Sequence, residues 1–469
     1  MVKAQLIIKN AIYFAGTTFK NGDIIVNNNI ISQIEAPGSF TGTAERVLDG
    51  KGLLVLPGVI DSHVHFRDPG RCDREDFSSG SVAAASGGVT TVIEMPNVIP
   101  PPYSAEQIKK RIAIGEQKSL IDFSFYAAAG YDNRNNYDEM KACGISAFKT
   151  FLHAPPKGRE AEFMGLTAEN TGELFAVLQK AAGVDGRFFF HCENESLINE
   201  LEKQLHKQGK EGYDFHYNSR PNVAEAQSVA TIIELARATG AKVGICHVST
   251  AEAAELIKRA KADGLDIVAE ACYHHLLFSH ADIDRLGPYA KCNPPLRSAQ
   301  NVEALWKYVT DGTIDYLGSD HAPLLADEKK SGEHHIWQAF SGIAGVEVMV
   351  TLIVNEWHKR HLCQKQMVRL LSENAAKAFG FYPRKGKIAV GSDGDFTIIN
   401  PSVSRQLSIE QMYSKAAVNN KIFEGLTVNN TIAYTVSRGQ VVAEDGKVDM
   451  SLRGRGQFIM TNRGGVKNA

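Results

Sequence analysis

Between residues 59 and 320 the chain alternates eight short apolar runs with stretches of helical character, a rhythm that few folds accept. The runs are 59–65, 89–95, 123–129, 146–152, 187–192, 242–248, 266–272 and 314–320. Helix-like segments separate them at 104–118, 167–182, 222–239, 250–263 and 299–309. Strands that alternate with helices predict parallel pairing, and eight of them predict closure into a (β/α)8, TIM-like barrel of the α/β class. A doubly wound open sheet is the competing architecture. It would normally bring a glycine-rich phosphate loop after an early strand, whereas Ser86-Gly87-Gly88 runs into the strand at Val89 and reads as a helix stop.

The two ends follow another period. Leu6-Ile7-Ile8, Asp23 to Val26, Ile30 to Ile34 and Arg46 to Asp49 read as strands, with turn residues such as Asn21-Gly22 and Asp49-Gly50 between them. Asp395 to Ile399, Ala433 to Val436 and Gln440 to Ala443 read the same way. A small antiparallel sheet and one composite domain made by both termini are expected. At 469 residues the chain has length for a barrel and such a domain.

A formal charge of -2 and a pI near 6.7 leave no electrostatic footprint for nucleic acid or an anionic membrane. The seven cysteines are scattered without a CxxC pair, which fits a reducing compartment. The apolar run at the amino terminus is too short for a signal peptide, and no run of ~18 apolar residues occurs. A cytoplasmic protein with small-molecule partners is expected.

The chemistry begins on the first strand. The chain is apolar from Leu53 to Ile60, and Asp61-Ser62-His63-Val64-His65-Phe66-Arg67 then turns polar at every second residue. Successive side chains of a strand face opposite ways, so His63, His65 and Arg67 are expected on one face. Alone, His-x-His reads as part of an exposed strand or loop. Beside so apolar a run, two uncompensated imidazoles are costly unless something binds them, and together they make half of a metal site.

Reactive groups of such barrels sit at the carboxyl ends of the strands. In order, those ends bring Lys149 on the fourth strand, His191 on the fifth, His247 on the sixth and Asp320 on the eighth. Singly, the two histidines read as hydrogen-bonded strand-end residues and Asp320 as a helix cap. After an intact His-x-His pair, the set reads as nitrogen and oxygen ligands converging on one mouth. Lys149, in the apolar Ala147-Phe148-Lys149-Thr150-Phe151-Leu152, leaves two readings open. Its amine snorkels to water past the strand end, or takes up carbon dioxide to give a carbamate that bridges two cations ~3.5–4 Å apart.

The set His63-x-His65, Lys149, His191, His247 and Asp320 resembles that of the amidohydrolase superfamily, and more narrowly of its cyclic-amide hydrolases: dihydroorotase, allantoinase and the hydantoinase or dihydropyrimidinase enzymes. The resemblance runs from Leu56-Pro57-Gly58 to Gly456-Gln457-Phe458-Ile459. It implies a barrel over 57–385 and a small β-sandwich domain built from 1–56 and 386–469. It also implies a binuclear centre, with His63 and His65 binding the more buried metal together with Asp320. His191 and His247 would bind the more exposed metal, and carboxylated Lys149 would bridge both. Two divalent ions are implied, zinc in the usual case, with manganese or cobalt compatible with the same donors. The implied reaction opens or closes a cyclic amide by attack of a metal-bridging hydroxide, Asp320 carrying the proton to the departing ring nitrogen. Homo-dimers or homo-tetramers are implied as well.

For the ring itself the motifs divide. His65-Phe66-Arg67-Asp68-Pro69-Gly70, Met95-Pro96-Asn97 and Asn293-Pro294-Pro295-Leu296-Arg297 are similar to dihydroorotase, in which the residues matching Arg67, Asn97 and Asn293 contact the substrate. Arg67 would fork a carboxylate there, its alternative being an ion pair with Asp68 or Asp73. Two features point instead to allantoinase or hydantoinase: Leu324 stands where dihydroorotases commonly place a histidine, and the segment from Lys329 to Gly345 looks more like allantoinase. The leading expectation is dihydroorotase, turning dihydroorotate into N-carbamoyl-aspartate, with allantoinase or hydantoinase as the alternative. Metal-free relatives of dihydropyrimidinase serve as non-catalytic scaffolds, but they lack several ligands, and all six positions are filled here.

Overall fold

The computed structural model describes residues 3–209 and 212–461. Eight parallel strands follow one another around a barrel: Val59–Val64, Val89–Glu94, Asp122–Ala128, Ala147–Phe151, Phe188–His191, Val243–Ile245, Ile267–Cys272 and Tyr316–Gly318. A parallel bridge between Val64 and His321 joins the last strand to the first. Ile60, Ile93, Tyr126, Phe189, Cys246 and Tyr316 turn into one apolar cluster with Phe379, so the barrel interior is a packed core.

The expected helices form with polar caps that end them cleanly. Ser104 caps Ala105–Lys118, Thr250 caps Ala251–Ala262 and Ser298 caps Ala299–Thr310, each accepting from a backbone N–H of the first turn. Asn222–Thr239 stops at Gly240 in the left-handed region (φ 76°), where a side chain would be strained. Among the described residues, no helix is long and apolar enough to cross a membrane.

The strands are shorter than their apolar runs, and the difference falls on the site. The ladder ends at Val64, Ile245 and Gly318, before His65, His247 and Asp320. Arg67 (φ 61°), His247 (φ 37°) and Asp320 (φ 45°) occupy the left-handed region that non-glycine residues seldom enter. The backbone thus leaves the strand direction at the mouth. A common strand face is therefore not what brings Arg67 beside His63 and His65.

A separate nine-stranded sheet is built from both termini, with the strand Leu54–Pro57 pairing Lys3–Phe14 on one side and Phe396–Asn400 on the other. The antiparallel expectation is corrected: Lys3–Phe14 pairs antiparallel with Phe19–Asn27 but parallel with Thr43–Asp49 and Leu54–Pro57. The segment between Glu35 and Thr43 carries the chain back across, which a hairpin turn could not do.

This sheet is fastened to the base of the barrel by a buried charge cluster. Lys385, 3% exposed, places its Nζ 2.8 Å from Asp122, 3.1 Å from Asp393 and 2.5 Å from Asp395. Arg438 Nε adds a bond to Asp122 at 3.0 Å. Burial disfavours the Lys385 ammonium, but the three carboxylates outweigh it and hold the amine above its ordinary range. Lys385→Met leaves those carboxylates facing one another without their central cation, so a loss of ~3–5 kcal/mol is expected, read as a shift of the urea transition. A shift within the ~0–1 kcal/mol of a surface pair would show that the cluster does not hold the sheet in place.

Candidate functional site

All nine residues singled out from the sequence line one cavity of about 570 Å³ at the mouth of the barrel. His63 places Nδ1 2.6 Å from Glu270 Oε1 and Nε2 3.3 Å from Asp320 Oδ1. The same Asp320 oxygen lies 3.1 Å from His65 Nε2. His191 Nδ1 and His247 Nε2 face each other at 3.0 Å, and the rings of His63 and His247 stand 5.5 Å apart, which joins the two pairs into one cluster.

The electrostatics of this cluster fit a bound cation. Burial by itself would lower the His63 imidazole, yet Glu270 and Asp320 carry it up to about 10, so the two carboxylates require positive charge at this point. Burial would raise the Asp320 carboxyl, but His63 and His65 hold it well below the usual range. Burial and Arg67 lower His65 to about 3, and burial, His191 and Lys149 hold His247 far below its ordinary value. Neutral imidazoles are what metal coordination uses. His63, His65 and Asp320 also offer one ligand atom each within 4.8 Å of one another.

Lys149 does not snorkel. It is 1% exposed, its Nζ has no hydrogen-bond partner among the described residues, and the amine sits 5.1 Å from the centre of the Phe151 ring. An unpaired buried ammonium costs several kcal/mol, and an amine carrying a carboxyl group would remove that cost if it had cations to bind.

Arg67 is 5% exposed and, among the described residues, makes one hydrogen bond, from Nη1 to the Asn97 carbonyl at 3.4 Å, while its Nε has none. The alternative ion pair does not form: Asp68 accepts from Lys118 at 2.8 Å, and Asp73 from Arg71 at 3.0 Å. Burial and neighbouring Arg159 lower the guanidinium to about 10. Asn97 and Asn293 share the cavity, Asn97 with an unpartnered Oδ1 and Asn293 accepting from Ser341 Oγ at 3.1 Å. Leu324 is not in the lining; its carbonyl accepts from Asn419 Nδ2 at 2.8 Å.

Several functional side chains are not evident from the sequence reading. Glu270 fixes the His63 ring and accepts from Ser62 Oγ at 2.9 Å. Glu193 lies 2.9 Å from His191 Nε2 and is paired with Arg220 at 2.8 Å, so both imidazoles have the carboxylate partners that orient metal-binding histidines. Glu270 could have been found as the acid inside the apolar run 266–272, and Glu193 as the acid next but one to His191. His153, Arg159, Phe163, Trp337 and Phe340 also line the cavity.

A family model described as the amidohydrolase family matches residues 54–442. Among curated relatives, an L-hydantoinase of Paenarthrobacter aurescens is 32% identical over 457 residues, covering 97% of this chain and 98% of the relative. An allantoinase of Salmonella newport (strain SL254) is 32% identical over 462 residues, covering 98% and 99%. Among solved structures, the L-hydantoinase (dihydropyrimidinase) from Arthrobacter aurescens matches with a TM-score of 0.92 at 31% identity, over 97% of this chain and 100% of that one. The D-hydantoinase (dihydropyrimidinase) from Thermus sp. matches with a TM-score of 0.88 at 30% identity, over 97% and 99%.

Proposed function

The chain belongs to the amidohydrolase family, and from that premise we propose that it hydrolyses a cyclic amide of the hydantoin or allantoin kind at a centre of two divalent cations. The observation that carries this reading is the unpaired, buried Lys149 amine among four imidazoles and Asp320. The relatives' names support the alternative drawn from the sequence over dihydroorotase. The division into a barrel over 57–385 and a sandwich from 1–56 and 386–469 belongs to the same reading, supported by the sheet that both termini share.

His63, His65 and Asp320 would hold one ion and His191 and His247 the other, with Lys149 as a carbamate between them. The amine forms this group by attacking carbon dioxide and releasing one proton. When bound, such ions make water a nucleophile at neutral pH and polarise a carbonyl, with zinc the ion that best suits the donors. The remaining work falls to the chain. Glu270 and Glu193 keep the His63 and His191 rings in one orientation and one tautomer. Asp320 accepts a proton from the water that attacks the scissile carbonyl and delivers it to the ring nitrogen as the C–N bond breaks. Arg67, Asn97 and Asn293 position the ring's polar edge.

Assay of allantoin, hydantoins, dihydrouracil and dihydroorotate side by side tests the reading, and allantoin or a hydantoin is expected to show the highest kcat/KM. One observation favours a second reading. Arg67 is a buried guanidinium with no carboxylate in ion-pair range among the described residues, and a substrate carboxylate would complete it. If dihydroorotate leads the series and Arg67→Met lowers its turnover alone, the substrate is that acid, and the neutral-ring proposal falls.

A further inference from the structure

Beside this centre lies a second group of donors that the proposed chemistry leaves unused. The seventh barrel strand ends at Cys272, and the short helix Tyr273–Leu277 follows at once. The turn brings three side chains together: Cys272 is 0% exposed and His274 and His275 are each 1% exposed, and their ligand atoms all lie within 4.8 Å of one another. The two imidazole rings are 4.3 Å apart.

The hydrogen bonding leaves these donors open. His275 Nε2 donates to the Pro294 carbonyl at 3.0 Å, which fixes the tautomer and leaves Nδ1 as a lone pair without a partner among the described residues. Among the described residues, neither ring nitrogen of His274 has a partner. Each buried polar group left unmade costs ~1–3 kcal/mol, so a ligand that three such atoms share would recover that cost.

We propose that Cys272, His274 and His275 form a further metal site, taking one borderline-soft divalent cation of the zinc class and distinct from the centre at His63. One sulfur and two nitrogens suit zinc, whereas magnesium or calcium would require oxygen ligands. On binding, Cys272 releases its proton to solvent. The bond from His275 to Pro294 is the outer partner that orients a ligating imidazole. The bound ion ties the end of the seventh strand to the Asn293-Pro294 segment, and Asn293 lines the substrate cavity.

Zinc-edge X-ray absorption and elemental analysis of the zinc-loaded full chain, freed of excess metal, test this site without reference to activity. The ligands proposed for the centre at His63 are nitrogen and oxygen, but the Cys246 thiol lies within reach of His63 and Glu270, so a sulfur neighbour at about 2.3 Å is assigned to the further site by its dependence on Cys272. Cys272→Ser removes that sulfur and about one zinc per chain, while Cys246→Ser, at the buried thiol near His63, leaves both unchanged. If Cys272→Ser does not fold, His274→Gln carries the same expectation at nearly the same volume. A wild-type spectrum with no sulfur overturns the proposal, as does a sulfur signal that survives both Cys272→Ser and His274→Gln or disappears in Cys246→Ser.

Discussion

Lys149→Ala is expected to abolish most turnover while leaving the barrel folded. The fourth strand buries this side chain at 1% exposure and gives its amine no hydrogen-bond partner, so removing the amine breaks no native bond. What the variant loses is the carboxylate that a carbamate would place among His63, His65, His191 and His247. Losing an outer partner of a metal ligand costs 10–100-fold, and losing a bridging ligand is expected to cost more than ~100-fold in kcat. Metal content should fall from about two ions at this centre, and short carboxylic acids added to the assay should restore part of the activity by occupying the vacated volume. Near wild-type turnover in the variant, or a folded, metal-loaded variant that no carboxylic acid rescues, would rule out the carbamate.

Asp320→Asn should reduce kcat by ~10²–10⁴, the usual worth of a positioned proton carrier. The substitution keeps the side chain's shape and its place past the eighth strand, so circular dichroism should not change. A second readout reports the same carboxylate in the metal-free protein. Glu270 and Asp320 together carry His63 up to about 10, and with Asp320 neutral Glu270 and the hydrogen bond with Cys246 remain to oppose burial, so the His63 titration followed by NMR should move down. Turnover within a few-fold of wild type would assign proton transfer elsewhere, and His321, whose Nε2 lies 3.4 Å from Glu75, would be the next residue to vary.

Some of the fold was legible because it rests on local patterns. Helix 222–239 was bounded correctly because its ends are local signals, Pro221 before its first turn and Gly240 in the left-handed region after its last. The body of Phe77–Ser86 is not among the expected helical segments: it is rich in serine and alanine and almost wholly buried, so it lacks the contrast between faces that marks a surface helix, and only its ends, the Asp76 cap and the stop at Ser86-Gly87-Gly88, signal it. The antiparallel expectation for the terminal sheet failed for another reason. Strand residues announce that they pair but not with which neighbour, and the parallel partners of Lys3–Phe14 are some 40 residues away.

For the site the division follows the same physics. The sequence by itself determined the residue types and their positions near strand ends: His63, His65, Lys149, His191, His247 and Asp320 each stand at or within three residues of the end of an apolar run that had to become a barrel strand. Which carboxylate holds each imidazole was decided only by the tertiary structure, since Glu270 meets His63 across 207 positions and no period in the chain spans that separation. Tertiary structure also decided that Arg67 is unpaired. Asp68 and Asp73 were its near neighbours in sequence, but the backbone turns at Arg67 into the left-handed region, and the folded chain gives those carboxylates to Lys118 and Arg71. Local sequence encodes which groups are present and how they alternate, while the energy of a buried charge depends on what the whole fold packs against it.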